Sequence, residues 1–153
     1  MPGLNLTRVE AEERGKTIVK VDNYKVDLDL TGSDTVFRTV ASINFDAVPG
    51  SSTFVDMVAD KVHSVRLNGE ELDPALYHDH RFPLEGLGGK NVLEVDADFV
   101  YMNTGEGMHR SVDPADGKVY LYSQFEVPDA RRVFPTFEQP DLKASFQFTV
   151  TAP

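Results

Sequence analysis

A chain of 153 residues suits one domain, and 41% hydrophobic with 26% charged residues sits near soluble globular averages, which excludes disorder as the default. Acidic residues outnumber basic ones 25 to 15, for a formal charge of -10, so the surface repels phosphate backbones and anionic lipid and nucleic acid and membranes are poor partners. There is no cysteine, which excludes disulfides and thiolate metal sites.

The opening segment, "MPGLNLTRVEAEERGK", lacks the apolar core of a signal peptide, and no apolar run approaches a membrane span. The chain is read as soluble and cytoplasmic. Thr7 followed three residues later by Glu10 matches a capping box, "RVEAEER" is rich in helix formers, and Gly15 is the expected stop. This short helix has little to bury and must lean on another element. Residues 1–20 are therefore assigned to an N-terminal arm and 21–153 to a β domain.

From residue 23 the hydrophobic period becomes two. Tyr24, Val26, Leu28 and Leu30 alternate with Lys25, Asp27 and Asp29, the pattern of a half-buried strand. Phe37, Ala41, Ile43 and Phe45 repeat it, as do Leu93, Val95, Ala97 and Phe99. "STFVDMV", "VHSVRL", "KVYLYSQFE" and "ASFQFTV" supply further strands, and Asn68-Gly69 is a strong hairpin signal. With no second amphipathic helix, the fold class is all-β, a sandwich or a strongly curved sheet pair.

Few residues suggest chemistry. His78 and His80 flank Asp79 and share a face if extended, but "DPALYHDHRFP" reads as a loop without a third ligand, so no metal site is assigned. His63 and His109 are isolated. No serine sits in a nucleophile elbow, and the glycines of "LEGLGGK" lack the strand-to-helix setting of a phosphate loop. "YMNTGEGMHRSVDPADGKVY" reads as a long polar connection, of the kind found both at functional loops and at hairpin tips.

"KVYLYSQFE" carries apolar residues on both faces at its start, as in a central strand covered on both sides. One face then turns polar at Gln124 and Glu126. Two readings follow. Glu126 pairs with Arg131 or Arg132, the commoner fate of a carboxylate near arginines; or it recognises a cation with the amide of Gln124 beside it. A free α-amino group, with a pKa near 8, suits such a carboxylate.

"YMNTGEGMHR", "YLYSQFEVPDARRVFPTFEQPDLKASFQFTV" and "NYKVDLDL" resemble the N-terminal domain of the aminopeptidase N family of zinc metallopeptidases, in its actinobacterial branch. The likeness runs from about residue 4 to 153 and is most specific from Tyr120 to Ala144. It implies a saddle-like domain of curved, mainly antiparallel sheets that caps the active site of a downstream catalytic domain. Zinc and the H-E-x-x-H motif would belong to that domain, with no cofactor in this chain. The resemblance further implies that Glu126 binds the α-amine of a peptide substrate and that Gln124 lines the first side-chain subsite. The arginines and prolines after them would fix that edge against the next domain. Relatives read F-x-x-F-D-E-P-D where this chain has Glu138 and Gln139, a change expected to be structural. The competing expectation is a free-standing β-sandwich that binds a protein or carbohydrate. A sticky apolar surface around Phe134 and Phe137 would favour the peptidase reading.

Overall fold

The computed structural model describes residues 5–153; the first four residues of the expected arm lie outside them. Helix α1 spans Arg8–Thr17, running through Gly15, and its N-terminus carries the expected capping box. The Glu10 N–H donates to the Thr7 hydroxyl at 3.2 Å, and the Thr7 N–H donates to the Glu10 carboxylate at 2.9 Å.

The helix has no apolar stripe, and its one buried residue is Arg14. Charge therefore attaches it to the body. Glu10 accepts both terminal nitrogens of Arg81, at 2.7 and 2.9 Å, and Arg14 donates to Asp56 at 2.7 Å. Residues four apart lie on one helix face, so both contacts point at the same neighbour. The Arg81 guanidinium, with the Thr7 N–H, holds the Glu10 carboxyl down at about 2. Strand β1 begins at Ile18, directly after the helix and ahead of the expected boundary at residue 20.

The all-β expectation holds: among the described residues ten strands form three curved sheets, all strand pairings being antiparallel but one. The main sheet has the spatial order β10 (Ser145–Thr151), β1 (Ile18–Asp29), β2 (Val36–Ala47), β7 (Lys90–Val100), β4 (Lys61–Leu67), β5 (Glu70–Leu72). In it, β2 and β7 bury every second residue, as the alternation predicts, and β1 does so from Tyr24 onward, after two register shifts that space Ile18, Val21 and Tyr24 three apart. β4 (Lys61–Leu67) and β5 (Glu70–Leu72) meet across Asn68 and Gly69, whose φ values of 54° and 83° are those of a type I′ turn. The last strand, β10 (Ser145–Thr151), lies parallel to β1 at the sheet edge.

The inner face of this sheet is covered in two ways. One cover is the ribbon of β3 (Thr53–Asp56) and β6 (Arg81–Leu84), which inserts Val55, Phe82 and Leu84. The other is an irregular strap over residues 133–139, which inserts Val133, Phe134 and Phe137. Hydrogen bonds seat the strap: the Thr39 hydroxyl donates to the Val133 carbonyl at 2.7 Å, and the Phe137 N–H donates to the Tyr24 hydroxyl at 3.1 Å. Phe134 and Phe137 are only 2% and 3% exposed, so they are core, and the sticky surface expected around them lies elsewhere.

Two expectations need correction. β9 (Val119–Gln124) is not a central strand; its one partner is β8 (Gly107–Val112), in a two-stranded hairpin. Its outer face is aromatic rather than aliphatic, and Tyr120 and Tyr122 stay about half exposed at 49% and 51%. Aromatic rings with polar tips tolerate that position where leucines would not. The polar connection after Tyr101 is likewise half strand, because β8 lies within it.

Candidate functional site

The hairpin ends beside the strap. β9 stops at Gln124, and Phe125 turns inward, its ring edge-on to Phe134 at 5.6 Å and stacked near Phe148 at 6.4 Å. That inward anchor leaves its two neighbours facing out, as the alternation requires. Glu126 is not itself in the strand; it opens a turn closed by the Asp129 N–H donating to the Glu126 carbonyl at 2.9 Å. The Gln124 side-chain carbonyl accepts the Glu126 N–H, so the amide fixes the turn and keeps its NH2 group free of any protein partner among the described residues. The two predicted residues are thus brought together, through side chain and backbone.

The Glu126 carboxylate is exposed and makes no ion pair or hydrogen bond among the described residues. The expected pairing with Arg131 or Arg132 does not form. Arg132 is taken by Asp129 at 2.9 Å, with Glu106 at 3.8 Å. Arg131 is buried, donates its Nε to the Pro128 carbonyl at 3.0 Å, and reaches Asn5 at 3.4 Å. Both arginines therefore fasten the turn from within this domain.

The outer face of the hairpin continues from Gln124 through Tyr122 and Tyr120, opposite Gly107, His109 and Ser111. His109 and Tyr122 stack with ring centres 4.5 Å apart and an angle of 22°. The Gly105 N–H donates to His109 Nδ1 at 3.1 Å, which places the proton of the neutral ring on Nε2. Gly105 has φ +88°, and a Cβ there would sit 3.3 Å from the Tyr122 hydroxyl. Gly107 has φ +62°, and its Cβ would lie 2.9 Å from Arg132. Both glycines are thus required where the loop folds onto the ring pair and onto the arginine turn. Sequence reasoning left His109 as isolated, because its partner is on the other strand.

His78 and His80 lie in a tight turn, as read, and Asp79 and His80 both have positive φ. Burial, with Arg131 and Arg132 nearby, pushes the His80 imidazole below its ordinary value. His63 contacts Asp98 at 2.9 Å. Among the described residues there is no group of three or more His, Asp or Glu side chains that could hold a metal.

The two positions that depart from the relatives' pattern sit behind the turn. Gln139 is buried and bridges, accepting from Arg14 Nε at 3.1 Å and donating to the Ala11 carbonyl at 3.0 Å. A glutamate there could not make the second bond. Glu138 accepts the Arg131 N–H at 2.8 Å, and burial pushes its carboxyl up to about 6.

Residues 20–153 match the Peptidase M1 N-terminal domain, and the chain belongs to that family. It is similar to aminopeptidase N of Streptomyces lividans, 58% identical over 158 aligned residues, covering 100% of this chain and 18% of that protein. Aminopeptidase N of Acetobacter pasteurianus is 29% identical over 147 residues, covering 90% of this chain and 41% of that protein. The fold matches the crystal structure of Legionella pneumophila aminopeptidase A in complex with aspartic acid with a TM-score of 0.70 at 16% identity, over 86% of this chain and 16% of that one. The chain thus spans under half the length of each of these proteins. No helix among the described residues is long and apolar enough to cross a membrane.

Proposed function

We propose that this domain caps the active site of a zinc-dependent aminopeptidase and that Glu126 binds the α-ammonium group of the substrate, with Gln124 lining the first side-chain subsite. The observation that carries this reading is the unpaired, exposed Glu126 carboxylate, held at a strand end while both nearby arginines are engaged elsewhere. A carboxylate presented in this way is available to an external cation, and a charge-assisted contact to a terminal amine sets where the first peptide bond lies. An interior residue has no such amine, so internal cleavage leaves Glu126 unpaired and is disfavoured.

Zinc, which the family implies, would be held outside residues 5–153, where no group suited to it exists. Bound there, it would polarise the scissile carbonyl and activate water. The role of this chain is confined to binding and orientation.

The contact with a downstream domain has its own support. Phe146, Phe148 and Val150 register with the buried Tyr24, Val26 and Leu28, so they extend the inner apolar face of the main sheet. Phe134 packs edge-on against both rings and Phe125 lies near Phe148, yet among the described residues the cover is partial, and the three remain 48%, 43% and 51% exposed. An open cleft of about 340 Å³ lies between Phe146 and the strap, with Val127, next to Glu126, on its wall. A further domain seated here would close the sheet face and approach Glu126 together.

The test is Glu126→Ala in the complete polypeptide, assayed on peptides with a free N-terminus. Loss of one partner from a desolvated charged contact costs about 2 kcal/mol, or roughly thirtyfold in kcat/KM. An unchanged kcat/KM would sink the role of Glu126. The native product should also exceed 17.0 kDa several times over in source-cell extract; a band at 17.0 kDa would return the chain to the binding-module reading.

A further inference from the structure

The proposed role of Gln124 and Glu126 leaves the rest of the outer hairpin face unexplained. That face carries Tyr122 one side-chain step from Gln124 on the same strand, with His109 paired across from it. Alternate residues of a strand are roughly 7 Å apart, the length of an amino-acid side chain. Tyr122 is 51% exposed, yet it is not loosely held. His109 stacks on it at 4.5 Å, and the glycine-105 loop is folded against its hydroxyl as well as against His109.

A ring that is half exposed but held by a stacked partner and a dedicated loop is a preorganised surface rather than a free side chain. Arg110, the nearest cation on the same strand, points the other way and pairs with Asp34 at 3.0 Å. On β9, Tyr120 is turned to Asp116 at 2.6 Å. The His109–Tyr122 pair is thus a flat aromatic surface next to an amide and then a carboxylate.

We infer that Tyr122 and His109 form a stacking wall of the first side-chain subsite, selecting substrates whose N-terminal residue is aromatic. This rests on the proposed site at Gln124 and Glu126. With the amine held at Glu126, the substrate side chain would project toward Gln124 and the rings beyond it, where offset or edge-on packing favours another aromatic group. A small side chain such as alanine would not reach.

The test uses the complete polypeptide and the 4-nitroanilides of phenylalanine, leucine and alanine. For Tyr122→Ala, and separately for His109→Ala, the ratio of kcat/KM for phenylalanine over alanine should fall about tenfold. Tyr122→Phe should retain the ratio, since the ring and not the hydroxyl supplies the wall. An unchanged ratio in both alanine variants overturns the inference, and so does an equal loss on all three substrates, which would mark a structural role. Glu126→Ala keeps the two readings apart. It should lower all three substrates alike with the ratio intact, whereas its having no effect would remove the underlying site.

Discussion

Two carboxylates in this molecule occupy opposite situations, and the difference separates what holds the domain from what it offers. Asp56, at the end of β3, is buried and paired: its Oδ2 accepts from Arg14 at 2.7 Å and from the Glu138 N–H at 3.1 Å, and its backbone pairs with Thr136 in both directions. Glu126, at the end of β9, is exposed and has no partner among the described residues. The helix, the ribbon and the strap converge on the first. Only a turn carries the second, and its backbone is fixed while its charge is left free.

The largest expected effect breaks the paired side. Asp56→Ala strands the Arg14 guanidinium in a site where it is essentially inaccessible, and removing one partner of such a pair typically costs about 3–5 kcal/mol. Urea unfolding of the chain should register that loss. A change below about 1 kcal/mol would mean that the Arg14 bonds to Gln139 and the Phe54 carbonyl suffice without the charge.

Glu138 sharpens the comparison, being intermediate between the two. Its carboxyl titrates at about 6 in the fold against 4.5 in the unfolded chain, so the folded state holds the proton more tightly. The stability this contributes is fully present below pH 4.5 and is lost as pH rises through about 6. Glu138→Gln keeps an acceptor for the Arg131 N–H and removes the titration. It should therefore raise stability at pH 7 by about 1 kcal/mol, once solvent screening of a partly exposed group is allowed for, and leave it unchanged at pH 4. Equal stability of the two proteins at pH 7 would show that the Arg131 charge already compensates the burial.

The sequence made the main sheet legible and the paired carboxylate illegible, for one reason. Alternation in β1, β2 and β7 is local, and each buried set can be read off a single segment. The Arg14 contacts join residues 42 and 125 positions apart, and no pattern within one segment announces them. β8 escaped because Gly105, Gly107 and His109 interrupt any apolar alternation; Met108 is its one buried hydrophobic residue. At the site, Gln124 and Glu126 were visible as the polar end of an apolar strand. The fate of the arginines was not, since it depended on a turn that brings Asp129 to Arg132 and the Pro128 carbonyl to Arg131.

The smallest expected effect is the most discriminating. If Glu126 is a presented charge, Glu126→Ala should leave the unfolding free energy of the chain within about 0.5 kcal/mol of the parent, as for any exposed residue with no contacts to lose. Gln124 tests the other half of the arrangement, because its side chain caps the Glu126 N–H. Gln124→Ala removes that bond and should cost about 1 kcal/mol, the typical net worth of one such contact. A stability loss at Glu126 as large as that at Gln124 would make the carboxylate part of the scaffold, and the contrast with Asp56 would dissolve. A loss at Gln124 alone would leave the amide as the brace and the carboxylate as the group it holds in position.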